Sequence, residues 1–348
     1  MQIAEDVRGF MNEQEILLYT ITANNGQSIS ITNLGGIIHS WKCYDKFGHL
    51  DDILLGCKNM EGYLKDHPYF NAVIGRVANR IAYGRFVLDG REYQLPVNLP
   101  PHCLHGGGLG LDRKLWLTRI LHEQDSCSLH MTATISDMED GIPGNLLVEI
   151  IYIYTEDNQL IVHYKASTDL RTLFNPTLHL YLNLGGQDHP DILDHQLWID
   201  ADRITESDDT LIPTGNFLNV GGTPLDFRKE EIIGHKMKID HPLLYNTKGY
   251  DHNYVLNNHN INAPVAILSH AHSGRCLSIF TDRPAMQLYT GNWLGDVSGK
   301  TGKYRDYNGV CLETQAFPDA PNHKHFTNII LNPEETFESF TSYKVGIM

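Results

Sequence analysis

No stretch of the 348-residue sequence approaches the ~18 consecutive apolar residues of a membrane-spanning helix. The longest greasy segment, LLVEIIYIY (146–154), carries a glutamate and is strand-like. Basic residues are scarce: 27 Lys and Arg stand against 42 Asp and Glu, a net charge of −15 with histidine neutral. That balance argues against nucleic acid or an anionic membrane as the main partner and suits a soluble, cytoplasmic protein. The opening residues, MQIAEDVRGF, show no basic segment followed by an apolar one, so no secretory signal is expected. Cysteine is sparse too. Cys43, Cys57, Cys103, Cys127, Cys276 and Cys311 form no C-x-x-C pair, which reads as reduced, mostly buried thiols rather than a disulfide frame or zinc knuckle. Helical periodicity is nearly missing, with MEGYLKD and EEIIGHKM offering one or two turns each. Linkers rich in Pro or Ser, shifts of composition and repeats of 20–50 residues are all lacking, so residues 1–348 are read as one domain.

What fills the chain is strand. Short alternating or β-branched segments such as EILLYTITA, SLHMTATIS, LIVHYKAST and RCLSIFTD follow one another with turn residues between them. Asp89-Gly90, inside FVLDGREYQL, is a two-residue hairpin turn, because both positions tolerate positive φ. TEDNQ and HSGR look like two more hairpin tips. Many strands joined by hairpins, without long helices between them, predict an all-β fold: a large antiparallel β-sandwich. At 41% hydrophobic, the chain can bury a large core. The 19 histidines include the pairs HAH (270–272) and HKH (323–325). Neither has a carboxylate at zinc-site spacing, so both are read as exposed loop histidines.

Several segments do not read as ordinary strand surface. NPTLHLYLNLGG (175–186) alternates, with Leu178, Leu180, Leu182 and Leu184 on one parity and Thr177, His179, Tyr181 and Asn183 on the other. The polar row is either a solvent face or the floor of a pocket. GRVANRIAYG (75–84) sets Asn79 and Arg80 among small residues; standing alone, that arginine would be a surface residue. HCLHGGGLGLD (102–112) puts His105 before three glycines, the mark of a strained turn or a close backbone approach. KGYDHNYVLN (248–257) places Asp251 before an apolar strand, and CLETQAFPDAPNH (311–323) holds Glu313 at mid-strand. A glutamate there is costly to bury unless paired or used. Two carboxylates, two histidines, an arginine and an asparagine on strands and loops suit a polyhydroxylated ligand.

Taken in order, GRVANRIAYG, LHGG, NPTLHLYLNL, GYDHNYVLN, QLYTGNWL and LETQAFPDAPN resemble the aldose 1-epimerase (galactose mutarotase) family, from about residue 15 to the end of the chain. The resemblance implies a large antiparallel β-sandwich of the galactose-mutarotase type and an isomerase that interconverts the α and β anomers of hexoses. It further implies Glu313 as general base and His179 as general acid, with Asn79, Arg80, His105, Tyr181, Asp251 and Gln287 holding the sugar hydroxyls. The family pattern N-H-S/T-Y-F-N-L differs here: Leu178, Leu180 and Leu182 replace its first, third and fifth residues. All three lie on the parity opposite His179 and Tyr181, so they should alter the packing behind the site and leave the pocket face intact. Trp293 in GNWL is either an apolar wall for the sugar or a core residue.

Opening and reclosing a hemiacetal needs a base at the anomeric hydroxyl and an acid at the ring oxygen. No cofactor or metal is expected, and the partner is a small aldose, bound by a monomer or homodimer. A bell-shaped pH dependence is expected, its acid limb set by Glu313 around pH 5–6 if Asp251 lies near it, and its alkaline limb by His179. The alternatives are a glycoside hydrolase, a hexose-6-phosphate 1-epimerase, which would want a basic cluster at the pocket rim, and a non-catalytic sugar-binding module, which would lack the acid or the base.

Overall fold

The computed structural model describes residues 1–123 and 125–348. The chain forms an antiparallel β-sandwich whose larger layer is a sheet of nine strands. The middle of that sheet is built by Ser126–Ile135, Leu146–Thr155, Gln159–Thr168, Phe337–Ile347 and Arg275–Thr281, each hydrogen-bonded to the next. Alternation decides which face is covered. Leu146, Val148, Ile150, Tyr152 and Tyr154 are all buried, whereas Leu147 between them is exposed. A second sheet of five strands begins with the hairpin Gln2–Met11 and Gln14–Thr22, and contributes Tyr19, Ile21, Ile29 and Trp41 to the same core. A third, also of five strands, runs in the order Pro213–Asn219, Arg203–Ser207, Asp251–Val255, Ala285–Tyr289, Cys311–Gln315. Every strand ladder is antiparallel; an isolated bridge between Val77 and Asn175 is parallel.

The third sheet positions the site through its parity. Tyr254, Met286, Leu288 and Leu312 face inward and share one apolar cluster with Val148, Tyr152, Val162 and Tyr343 of the nine-stranded sheet. Their alternates therefore point the other way, and these are Asp251, Asn253, Gln287, Glu313 and Gln315. Truncating a core residue such as Leu288 to alanine would cost about 2–5 kcal/mol. A slip of one residue would also exchange the two faces, sending the carboxylates into the core.

The expected hairpins are present. Asp89 and Gly90 join Arg85–Leu88 to Arg91–Gln94 with φ of 52° and 77°, the positive pair that a tight turn of this type demands. Asn158 and Gly274 take positive φ at the other two tips. The helical turns fall at Met60–Tyr63 and Ile233–Met237. All six cysteines are free thiols, and only Cys276 is less than fully buried.

One expectation fails. His270 is not an exposed loop histidine: it is 1% exposed, with Nε2 3.2 Å from Asp194, whose carboxylate also meets His189 at 3.2 Å and His195 at 3.1 Å. This group is not arranged for a metal ion. The far nitrogens of His195 and His270 accept the backbone N–H groups of Leu184 and Ser273, so the neutral rings carry their protons on the nitrogens that face Asp194. Both arginines of GRVANRIAYG are buried, in keeping with the cavity role implied for Arg80. Arg76 is 3% exposed and donates to the carbonyls of Ile135, Ser136, Pro143 and Gly144 and to the Thr172 hydroxyl. Those five acceptors, all at the two terminal nitrogens, are what make burying the guanidinium tolerable.

Candidate active site

The segment 175–184 is buried throughout, so its polar row does not face solvent. Only Thr177–Leu178 pairs as a regular strand, with Val73–Ile74; beyond it the extended chain is held by single bonds to three loops. His179 N–H donates to Ala72 O, Asn71 N–H donates to His179 O, and Tyr181 N–H donates to Asn71 Oδ1. Leu55 N–H donates to Tyr181 O, and Leu182 exchanges both backbone bonds with Val310. His179 and Tyr181 line a cavity of about 530 Å³. Asn183, on the same parity, instead donates to the carbonyls of His189 and Asn308 and is structural. Leu178, Leu180 and Leu182 lie in the main core, at most 1% exposed, with no part in the cavity lining.

All eight residues singled out from the sequence surround this one cavity: Asn79, Arg80, His105, His179, Tyr181, Asp251, Gln287 and Glu313. Three come from adjacent strands of the third sheet, where Gln287 sits directly opposite Glu313 and Asp251 opposite Tyr289. Gln287 Nε2 donates to Asp251 Oδ1 at 2.6 Å, and Arg80 Nη2 pairs with Asp251 Oδ2 at 3.2 Å. Asn79 and His105 lock one another: His105 N–H donates to Asn79 O, and Asn79 N–H donates to His105 Nδ1. Both take positive φ. The glycine after His105 is required, since a Cβ on Gly106, whose φ is +84°, would lie 3.2 Å from Arg76 N.

His179 Nε2 lies 3.5 Å from Glu313 Oε1, with both side chains almost wholly buried. Burial is the main force on each. It raises Glu313 well above the ordinary glutamate range, helped by the negative charge of Asp251 and opposed by Arg80. It lowers His179 to about 4, against a smaller upward pull from Asp251. Burial therefore favours the carboxylic acid and the neutral imidazole, a pair that shares one proton. His105 is also held well below its ordinary value by burial, with His179 and Arg80 adding to the effect. With Nδ1 occupied by Asn79, it presents a neutral Nε2–H donor. Three buried polar atoms at the cavity have no partner within the protein: His179 Nδ1, Gln287 Oε1 and Glu313 Oε2. A ligand rich in hydroxyls would satisfy groups of this kind.

His105, His179 and Glu313 are close enough to suggest a metal. The protonated Nε2 of His105, however, leaves two donors instead of the three that catalytic zinc needs. Pro68, Tyr69 and Leu99, in segments without period, are not expected from the sequence; with Leu104 and Tyr289 they complete the apolar part of the lining. Trp293 lines the cavity and is 46% exposed, so it is no core tryptophan.

Fold and cavity together define a class: an antiparallel sandwich with a carboxyl–imidazole pair in a polyol-sized pocket. The family described as aldose 1-epimerase matches residues 17–344, and the chain belongs to that family. It is 41% identical over 321 residues to the galactose mutarotase of Homo sapiens, covering 92% of this chain and 91% of that protein. It is 33% identical over 335 residues to the aldose 1-epimerase of Escherichia coli (strain K12), covering 95% of each. Among solved structures, galactose 1-epimerase from Lactobacillus acidophilus NCFM superposes with a TM-score of 0.88 at 26% identity, over 99% of both chains.

Proposed function

We propose that this protein is an aldose 1-epimerase that interconverts the anomers of hexoses such as galactose and glucose, with Glu313 as base and His179 as acid. The observation that carries the assignment of roles is the 3.5 Å approach of His179 Nε2 to Glu313 Oε1 inside a cavity ringed by hydroxyl-binding groups. The working form holds the shared proton on His179. Glu313 removes the proton of the anomeric hydroxyl while His179 protonates the ring oxygen, and the ring C–O bond breaks to give the aldehyde. Rotation about C1–C2 presents the other carbonyl face. Closure runs the two transfers in reverse, so the enzyme returns to its starting protonation state. Each positioned transfer is worth about 10²–10⁴-fold. Asp251, fixed by Arg80 and Gln287, and the donors Asn79 and His105 hold the hydroxyls; Tyr181 floors the pocket.

A hexose phosphate fits less well, because Arg80 is the cation in the described cavity lining and Asp251 already engages it. A binding module would not keep both an acid and a base. The chain acts as one domain, a reading supported by the largest apolar cluster, whose members run from Tyr19 to Val345. Polarimetry on freshly dissolved α-D-galactose and α-D-glucose tests the reading: acceleration well beyond the buffer rate is expected, and no acceleration overturns it.

A further inference from the structure

Tyr69 has no role in the reaction above, yet both its backbone and its ring are closely constrained. Its φ is +57°, a left-handed conformation that a bulky side chain keeps only where the surroundings dictate it. The turn that imposes it is stapled at both ends. Tyr69 N–H donates to His67 O at 2.8 Å, and Ala72 N–H donates to Tyr69 O at 3.2 Å. Asn71 and Ala72 of this same turn make the backbone bonds that hold His179. The turn sends Phe70 into the apolar cluster against Tyr181, with ring centroids 5.0 Å apart. Tyr69 goes the opposite way, into the cavity.

There its ring meets both histidines. It lies edge-on to His105 at 4.6 Å and nearly parallel to His179 at 6.2 Å. The phenol has no hydrogen-bond partner among the described residues, and burial raises its pKa to about 12, so it stays a neutral donor. We propose that Tyr69 is a sugar-binding and positioning residue: its hydroxyl donates to one hydroxyl of the bound aldose, and its ring fixes the imidazoles of His105 and His179. The proposal rests on the aldose reading of the cavity.

The test uses Tyr69→Phe, Tyr69→Leu and a set of monodeoxygalactoses. Tyr69→Phe should raise KM roughly 3- to 10-fold, the worth of one hydrogen bond, with kcat within about twofold. One monodeoxy sugar should show the same loss on the wild type and no further loss on Tyr69→Phe, as expected when both changes delete one interaction. Tyr69→Leu, which removes the ring, should lower kcat as well, by at least roughly tenfold. An unchanged KM for Tyr69→Phe, or losses that multiply for every deoxy sugar, overturns the binding role. An unchanged kcat for Tyr69→Leu overturns the positioning role. If the wild type binds galactose without converting its anomers, the epimerase reading fails, and titrated Kd values for wild type and Tyr69→Phe decide the binding role alone. A wild type that neither binds nor converts aldoses overturns both.

Discussion

The proton shared by Glu313 and His179 sets what single substitutions should do. Glu313→Gln keeps the shape and hydrogen bonding of the side chain but cannot accept the anomeric proton, so kcat should fall at least ~10²-fold in a folded protein. Near-normal turnover would remove Glu313 from the reaction. His179→Asn should likewise cripple kcat. His105→Asn should mainly raise KM, because a neutral ring whose Nδ1 is engaged by Asn79 N–H acts as a donor to sugar rather than as a proton shuttle. The reverse ranking of the two histidines would exchange their roles. The pair also changes the expected pH profile. A glutamate limb at pH 5–6 and a histidine limb above it would follow from ordinary environments, but burial drives the two groups past each other. The acid limb of kcat/KM should therefore come where a second proton enters the pair, with His179 at about 4. The alkaline limb should come where Glu313 loses the last one, and both limbs belong to the pair as a whole. An acid limb below pH 5 is the expected outcome, and an acid limb centred at pH 5–6 would contradict it.

At the scale of elements, the segment that carries His179 is an extended chain whose ladder gives way to bonds with loops beyond Leu178. Asn71 shows how much depends on one side chain. Fully buried, with φ of 56°, it accepts Tyr181 N–H through Oδ1 and donates to Leu55 O at 2.6 Å through Nδ2. Asn71→Ala would leave two buried backbone groups unpaired and put alanine in a left-handed turn, a loss of about 2–4 kcal/mol. Urea denaturation should show the unfolding free energy falling by that amount, with the midpoint lowered in proportion, and a midpoint within error of wild type would mean that the turn, not the amide, holds the segment. This design also marks the limit of what the sequence reveals. The period-two alternation in LLVEIIYIY and in LETQ is read directly, because a strand in a sheet has one rule for its faces. The eight expected site residues, which do meet in one cavity, are implied by the family resemblance of the six ordered motifs and not by alternation. Tyr69 and Leu99 are not legible, since loops carry no period and their side chains meet the site only through tertiary folding. His270 was misread because its partner, Asp194, lies 76 residues away.

Across the whole molecule, buried histidine is the dominant electrostatic feature, and it links stability to pH. Burial lowers His39 and His67 to about 3 and His179 and His195 to about 4, from an ordinary value near 6.5. An unfolded chain takes up these protons as the pH falls through 6.5, while the folded protein refuses them until near 4. Between those limits the unfolded state binds more protons, so stability rises with pH and is lost on acidification. Two carboxyls work in the opposite sense. Asp112 is raised to about 6 and Glu313 well above its ordinary value, both by burial; they bind protons in the folded state first and offset part of the loss. Five further histidines (His102, His105, His163, His252 and His270) are lowered and Asp319 is raised in the same way, so the unfolded state still binds the more protons near pH 5, each excess proton adding a slope of about 1.4 kcal/mol per pH unit. For a protein whose stability is of the usual ~5–15 kcal/mol, the fold should give way within a few units below neutrality. Urea midpoints measured at pH 7.5, 6.5, 5.5 and 5.0 should be level between the first two and then fall steeply. His195→Gln, remote from the cavity, should flatten that fall without shifting the limbs of the rate profile. A midpoint constant from pH 7.5 to 5.0 would mean that the buried imidazoles take up their protons without opening the fold.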